Sequence, residues 1–156
     1  MHFIKLINNA AATVGPIILQ YPFYSGIMGI MATTGLMGVI TDWIVSIATP
    51  QTLGFFAFLS GGLVNMFIPS GGGQWAVQGP IMIEAALSLD VDPSIVVLGV
   101  AYGDQWTNMI QPFWTIPILA IAGLHMRQIL GYTFVIFLLT GVLYGGGMLY
   151  MGSGNV

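Results

Sequence analysis

Four apolar stretches run along the chain, separated by short polar or charged segments. They cover residues 16–48, 52–89, 94–124 and 131–151. About 20 apolar residues are needed to cross ~30 Å of hydrocarbon as a helix. The first and last stretches are therefore each predicted to span a membrane once. The first is expected to bend near Pro22, because proline interrupts helical hydrogen bonding.

The second stretch is divided by a glycine-rich interruption. An apolar run over 52–69 meets Ser70-Gly71-Gly72-Gly73-Gln74-Trp75, and a run of 14 residues over 76–89 follows. At 1.5 Å per residue the later run reaches about 21 Å, which is too short to cross. This pattern predicts a re-entrant helical hairpin that enters and leaves by the same membrane face.

The third stretch has a polar centre. Its apolar halves flank the segment from Asp104 to Gln111, and the whole is too long for one straight crossing. We therefore expect two half-helices joined by an unwound segment. The predicted fold is an all-α integral membrane domain with about three spanning helices, one of them broken mid-membrane, and one re-entrant hairpin.

Composition narrows the class of protein. The chain has 156 residues, of which 56% are hydrophobic and 4% charged, whereas about a quarter are charged in soluble domains. Lipid is therefore the expected solvent. The chain has only two Lys and Arg residues in total, too few to form a nucleic-acid-binding surface. The absence of cysteine and the two distant histidines exclude a transition-metal site, and no hydrolase motif indicates an enzyme.

The few charges predict an orientation. Lys5 and Arg127 fall on one face of the predicted topology, whereas Asp42, Asp90 and Asp92 fall on the other. Cations in short loops mark the cytoplasmic side. The N-terminus is therefore expected in the cytoplasm.

The glycine run is the first candidate site. Consecutive glycines expose backbone N–H groups, and the following helix directs its positive end to the same place, so the segment suits an anion. Ser70, the three glycines Gly71, Gly72 and Gly73, and the Gln74 amide are predicted to bind a carboxylate. Trp75 and Trp106 are expected to line a pocket for its alkyl chain. The alternative is an ordinary glycine-rich surface loop.

The polar centre of the broken span is the second candidate site. An ionisable residue at membrane depth indicates function, because a lone buried carboxylate costs several kcal/mol or takes up a proton. Asp104 and Asn108 are predicted to handle Na⁺ or H⁺, with Asn108 also near the substrate. Asp104 as a cap of the next half-helix is the alternative. Glu84 is either a proton carrier or a polar contact between helices.

Three segments resemble the bacterial short-chain fatty acid transporter family. They are Asn65 to Pro80 with Glu84-Ala85-Ala86 after it, Gly103 to Trp114, and Leu19 to Met31. The resemblance covers nearly the whole chain, but family members are much longer, and only their C-terminal third is matched. It implies a fold of two inverted repeats, each with a hairpin and a broken helix, of which this chain carries one.

The resemblance also implies a function. It implies uptake of carboxylates such as acetoacetate or butyrate across the bacterial inner membrane, coupled to a cation. A site between two repeats needs both of them. The chain is therefore expected to act as a C-terminal fragment or split subunit, together with an N-terminal repeat or a partner membrane chain. The alternative is a non-transporting subunit that assembles with or stabilises a partner.

Overall fold

The computed structural model describes residues 2–154, which form seven α-helices and no β-strand. This agrees with the predicted all-α class. The helices are α1 (His2–Thr33), α2 (Leu36–Ser46), α3 (Leu53–Asn65), α4 (Gly71–Ser88), α5 (Pro93–Thr107), α6 (Pro112–Ala122) and α7 (Met126–Gly152).

The first apolar stretch bends at Gly35. Gly35 has a φ of 69°, a left-handed conformation that glycine adopts without steric cost. The segments on either side, Ile18–Thr33 and Gly38–Ser46, differ in direction by 60°. Helix α1 continues through Pro22, and the predicted bend near that residue stays a prediction.

The two arms of the hairpin differ from the predicted ones. The extended backbone of Ser70 caps α4, and its Oγ accepts from the N–H of Gly73 at 3.3 Å. The three glycines therefore form the first turn of α4 and not a loop. The α4 arm has 18 residues, about 27 Å, so the argument from a short second arm is wrong. The short arm is α3, whose 13 residues reach only about 20 Å.

Glycines bring α3 and α5 into close parallel contact. A Cβ on Gly99 would stand 2.7 Å from the carbonyl oxygen of Gly54, and a Cβ on Gly61 would stand 2.8 Å from that of Val100. Such small residues let two helix backbones approach closely. Helix α4 runs back along α3 and leads into α5. The open end of the α3–α4 hairpin, which consists of the N-terminus of α3 and the C-terminus of α4, therefore lies beside the N-terminus of α5. Its re-entry into a membrane stays a prediction.

Helix α7 runs antiparallel to α3 and α5. Met148, near its end, meets Gly54 at the start of α3, whereas Phe137, near its middle, stacks on Trp106 at the end of α5. The 27 residues of α7 extend about 40 Å, enough to span a bilayer. The break between α5 and α6 therefore lies near the mid-length of a helix that can span.

The break is shorter than predicted. Residues 104–107 remain helical in α5, and only residues 108–111 separate it from α6. Among residues 2–154, one helix, Met126–Gly152, is long and apolar enough to cross a membrane, or two if the bent pair at Gly35 counts as one span. The predicted count of about three spans stays a prediction.

Charges lie at opposite ends of the helices. Asp90 and Asp92 occupy the turn between α4 and α5, whereas Arg127 lies in the first turn of α7, at the other end. This separation is the one that the orientation argument requires. The cytoplasmic location of the N-terminus stays a prediction.

Candidate functional site

Four helix ends meet where the α3–α4 and α5–α6 pairs are interrupted by short non-helical segments. The C-terminal ends of α3 and α5 face the N-terminal ends of α4 and α6, and Asn65 links them. Its Nδ2 lies 2.8 Å from Asn108 Oδ1, 2.9 Å from the Asp104 carbonyl oxygen and 3.0 Å from Thr107 Oγ1. The side chain of Asn65 is fully buried. It fixes the end of the hairpin's first arm to the last turn of α5.

A second amide completes this link. Gln111, the N-cap of α6, is fully buried, and its Nε2 donates to the carbonyl oxygen of Asn65 at 2.9 Å. The two breaks therefore share one hydrogen-bond network. The sequence reasoning assigned no role to Asn65 or Gln111. The sequence does indicate a structural role for these two amides, because an amide beside an apolar run must find a hydrogen-bond partner when it is buried.

The first turn of α4 presents free donors. The N–H of Gly73 donates to Ser70 Oγ and that of Gln74 donates to the Ser70 carbonyl at 2.7 Å. The N–H groups of Gly71 and Gly72 have no such partner in residues 2–154, and both glycines are exposed. Unpaired N–H groups at a helix N-terminus, reinforced by the helix dipole, attract an anion.

Gln74 anchors α4 instead of presenting its amide protons. It is fully buried, and its Nε2 donates to the Gly61 carbonyl at 2.9 Å and to Gln78 Oε1 at 3.0 Å. Gln78 in turn donates to Ser60 Oγ at 2.8 Å. Both Nε2 hydrogens of Gln74 are thus engaged. Its Oε1 is buried without a hydrogen-bond partner in the described part of the chain. The Gln74 side chain can therefore still accept a hydrogen bond or bind a cation through this oxygen.

An aromatic groove opens on one side of the α4 N-terminus. It has a volume of about 330 Å³, and Ser70 and Gly71 lie at its polar end. Its walls are formed by aromatic side chains of α1 and α6, namely Tyr21, Tyr24, Phe113 and Trp114. Trp75 lines a different groove, next to Asp104.

The tryptophan of α5 serves helix packing. The Nε1 of Trp106 donates to the Phe137 carbonyl at 2.8 Å, and its ring stacks on that of Phe137 at 4.4 Å. A Cβ on Gly141 would stand 2.9 Å from its Nε1. The expectation that Trp106 lines a substrate pocket is corrected accordingly. It packs α5 against α7.

An acidic groove lies on the other side of the same helix end. It has a volume of about 300 Å³ and includes Gly71, Gln74, Trp75 and Asp104. Asp104 is half-buried, and its Oδ2 would stand 3.6 Å from a Cβ on Gly71. Gly71 thus belongs to both grooves. The alternative role of Asp104 as a cap is wrong, because Gln111 is the N-cap of α6.

Two further candidate residues lie differently. Asn108 is half-buried, and its Oδ1 accepts from Asn65 beside Asp104. Glu84 is exposed on α4, 14 positions beyond Ser70 and hence about 21 Å from it along the helix. Glu84 therefore does not join the two grooves. Within residues 2–154, no three His, Cys, Asp or Glu side chains form a metal-binding group.

Comparison with known proteins decides the family. The model of the family described as short chain fatty acid transporter matches residues 1–151. The chain belongs to this transporter family. The family is one of transporters and not of enzymes.

Two relatives show how much of the family protein is present. A protein of Escherichia coli (strain K12), provisionally named a short-chain fatty acid transporter, is 44% identical over 144 residues, which are 92% of this chain and 33% of that protein. A protein of the same provisional name from Haemophilus influenzae is 37% identical over 151 residues, 97% of this chain and 34% of its own length. The chain thus spans about one third of these relatives. No solved structure matches it.

Proposed function

We propose that the chain is one part of a secondary transporter that carries short-chain carboxylates, such as acetoacetate or butyrate, across the bacterial inner membrane. The observation that carries this proposal is the position of the α4 N-terminus. Its free N–H groups at Gly71 and Gly72 adjoin two grooves and a helix break that lies near the mid-length of α7. Broken helix ends at mid-depth are a recurring design in secondary transporters.

The carboxylate binds at the first turn of α4. Gly71 and Gly72 donate backbone N–H groups, the Ser70 hydroxyl adds a donor, and Gly73 shapes the turn. Gln74 holds the turn on α3 through its bond to the Gly61 carbonyl. No Lys or Arg is near, since the described segments between Lys5 and Arg127 contain neither. Backbone dipoles must therefore supply the positive potential.

A coupling cation, Na⁺ or H⁺, binds at Asp104 in the acidic groove. The carboxylate and the unpaired Oε1 of Gln74 are oxygen ligands of the kind that hard cations prefer. Trp75 forms an apolar wall, and Asn108 adds an amide one turn after Asp104. A neutralising cation offsets the desolvation cost of the half-buried carboxylate. Because Gly71 borders both grooves, the bound anion and cation would attract each other.

The rest of the transporter is contributed by a further repeat or a partner membrane chain. The support is twofold: the relatives are about three times as long, and large apolar side chains are exposed on α1, α6 and α7. Glu84 is exposed on α4 and is proposed to face that partner, as a proton carrier or a polar contact. The cytoplasmic N-terminus remains part of this proposal.

Butyrate uptake tests the proposal. Membrane vesicles containing the chain, alone or with an N-terminal partner, are given labelled butyrate with a Na⁺ gradient, a pH gradient or neither. We expect Ser70→Ala and Asp104→Asn each to lower uptake about tenfold or more. Ser46→Ala and Asp42→Asn are matched controls on α2, outside both grooves. Uptake that survives both site substitutions contradicts the proposal.

A non-transporting assembly role is the second candidate. The exposed apolar side chains and the one-third length of the chain favour it. In this case the chain co-purifies with a second membrane protein, and butyrate produces no shift in its thermal unfolding. A butyrate-dependent shift that disappears in Ser70→Ala contradicts this second candidate.

A further inference from the structure

The aromatic groove is built around one buried ring. Phe113, 7% exposed, makes edge-to-face contacts with Tyr24 at 4.8 Å, with Trp114 at 5.1 Å and with Tyr21 at 5.5 Å between ring centroids. Such contacts are favourable beyond the area they bury and hold rings in fixed orientations. Helices α1 and α6 thus present a preformed apolar wall.

The groove has an apolar wall and a polar end. Ser70 and Gly71 form the polar end, at the N-terminus of α4, and Ser25 of α1 is a further polar residue of the lining. Its volume of about 330 Å³ is at the low end of the ~300–1,000 Å³ of small-molecule sites. A molecule that fits must be small, with a polar head for the helix end and an apolar body for the rings.

We propose that this aromatic wall binds the alkyl chain of an unbranched monocarboxylate and determines which chain lengths the protein binds. The inference rests on the proposed function and assigns specificity to Tyr21, Tyr24, Phe113 and Trp114. The helix end recognises the carboxylate in every short acid alike. Discrimination between acids must come from the surface that meets the carbons.

Two consequences follow from this arrangement. Each methylene buried on the wall strengthens binding about fourfold, so butyrate binds about sixteenfold more tightly than acetate. A dicarboxylate is rejected, because its second carboxylate would lie against the rings without a cationic partner. Lys5 and Arg127 are not among the residues that line the groove. Succinate is expected to bind about tenfold or more weakly than butyrate.

Binding is measured on variants in which an exposed residue of the wall is truncated. These truncations leave the buried Phe113 ring in place. Tyr21 is 55% exposed and Trp114 is 45% exposed. Tyr21→Ala and Trp114→Ala are compared with Tyr132→Ala and Trp43→Ala, which remove exposed rings outside the groove. The chain is held in lipid nanodiscs with any partner that uptake requires, and calorimetry gives dissociation constants for acetate, propionate, butyrate and succinate.

The ratio of the acetate and butyrate constants decides the inference. We expect about sixteenfold for the unchanged chain and both controls, and about fourfold or less for Tyr21→Ala and Trp114→Ala. A ratio that stays near sixteen in both wall variants, or that falls equally in the controls, overturns it. A ratio near one in the unchanged chain also overturns it.

Uptake by the same preparation separates this inference from the proposed function. Graded binding without butyrate uptake contradicts transport and leaves the wall assignment supported. Uptake with an unaltered ratio in the wall variants contradicts the wall assignment alone. If none of the four acids binds, both the wall assignment and the proposed function are contradicted.

Discussion

Asn65 and Asn108 join the hairpin to the broken helix. The Nδ2 of Asn65, at the end of α3, lies 2.8 Å from the Oδ1 of Asn108, directly after α5. The same amide meets two more acceptors of α5, and the Asn65 carbonyl receives Gln111. Both proposed binding regions, Ser70 to Gly73 and Asp104, therefore lie within a few residues of one buried amide.

Truncation of this amide should loosen both breaks. Asn65→Ala removes the donor to α5 and leaves the half-buried Oδ1 of Asn108 unpaired, which we expect to lower the free energy of unfolding by about 1–3 kcal/mol. Denaturant titration in mixed micelles measures the change. Asn9→Ala, on an exposed position of α1, is the control and should be near neutral. Equal effects of the two substitutions would show that the Asn65 contacts contribute nothing specific.

The parallel packing of α3 and α5 should tolerate no added methyl group at Gly103. A Cβ there would overlap the carbonyl oxygen of Phe58 and stand 2.6 Å from the N of Gly62. Both neighbours are backbone, so relief requires the helices to separate, at a cost of about 1–3 kcal/mol or more. We expect Gly103→Ala to lower the thermal unfolding temperature strongly.

Gly146→Ala is the matched control for this substitution. Gly146 is also helical, but nothing lies within 4 Å of its added Cβ. Alanine is the better helix former by about 1 kcal/mol, so this variant should be neutral or slightly stabilising. A Gly103→Ala chain as stable as Gly146→Ala would contradict the close α3–α5 contact.

Sequence reasoning located the two breaks because they are local features. Each break is a polar or glycine-rich segment within an apolar stretch, and such a segment is visible without tertiary information. The exact helix bounds could not be predicted from these local features alone, because the Ser70 cap draws the three glycines into α4. Likewise α5 continues to Thr107, where its last turn packs on α3. The glycines were drawn into α4 by a local cap, whereas the polar residues 104–107 were kept in α5 where it packs on α3.

The lining of the grooves could not be predicted in the same way. Tyr21 and Phe113 lie 92 positions apart, and nothing in either local pattern indicates that their rings meet at 5.5 Å. The prediction for Trp75 and Trp106 rests on their position next to the breaks in sequence. Their separation into a groove wall and a packing residue depends on which helix faces which. That information belongs to the topology.

The cap of α5 should make stability depend on pH. Hydrogen bonds from the backbone N–H of Ser94, at 2.8 Å from Asp92 Oδ1, and from its side chain hold the pKa of the exposed Asp92 carboxyl below its usual range. A lowered pKa in the folded state means that the ionised cap stabilises the fold above the unfolded pKa of about 3.9. This contribution is lost as the pH falls through the lower, folded value.

Thermal unfolding of Asp92→Asn between pH 3 and pH 7 measures this effect. The unfolding temperature of the unchanged chain, relative to this variant, should be highest near neutral pH and should decline below about pH 4. Asp92→Glu keeps the charge but places it beyond capping reach, and should lose the stabilisation at neutral pH. A difference independent of pH would show that ionisation of Asp92 does not contribute.

The depth of the hairpin end in the bilayer follows from α7. Trp106 stacks on Phe137 near the middle of α7, and Thr140 Oγ1 lies 3.5 Å from Met109 Sδ in the break. Asn65 ties the end of α3 to this break, so Phe67, exposed two residues later, should lie at mid-depth. Because the chain has no cysteine, single spin labels can be placed at will.

Labels at Phe67, Leu139 and Gln128 distinguish a re-entrant hairpin from two complete crossings. Leu139 is exposed at the middle of α7, and Gln128 is exposed in its first turn. Collision rates with oxygen and with a water-soluble nickel chelate report depth. In a re-entrant hairpin the label at Phe67 matches Leu139, with high oxygen and low nickel contact. In two crossings the hairpin end reaches the headgroups, and the label at Phe67 matches Gln128.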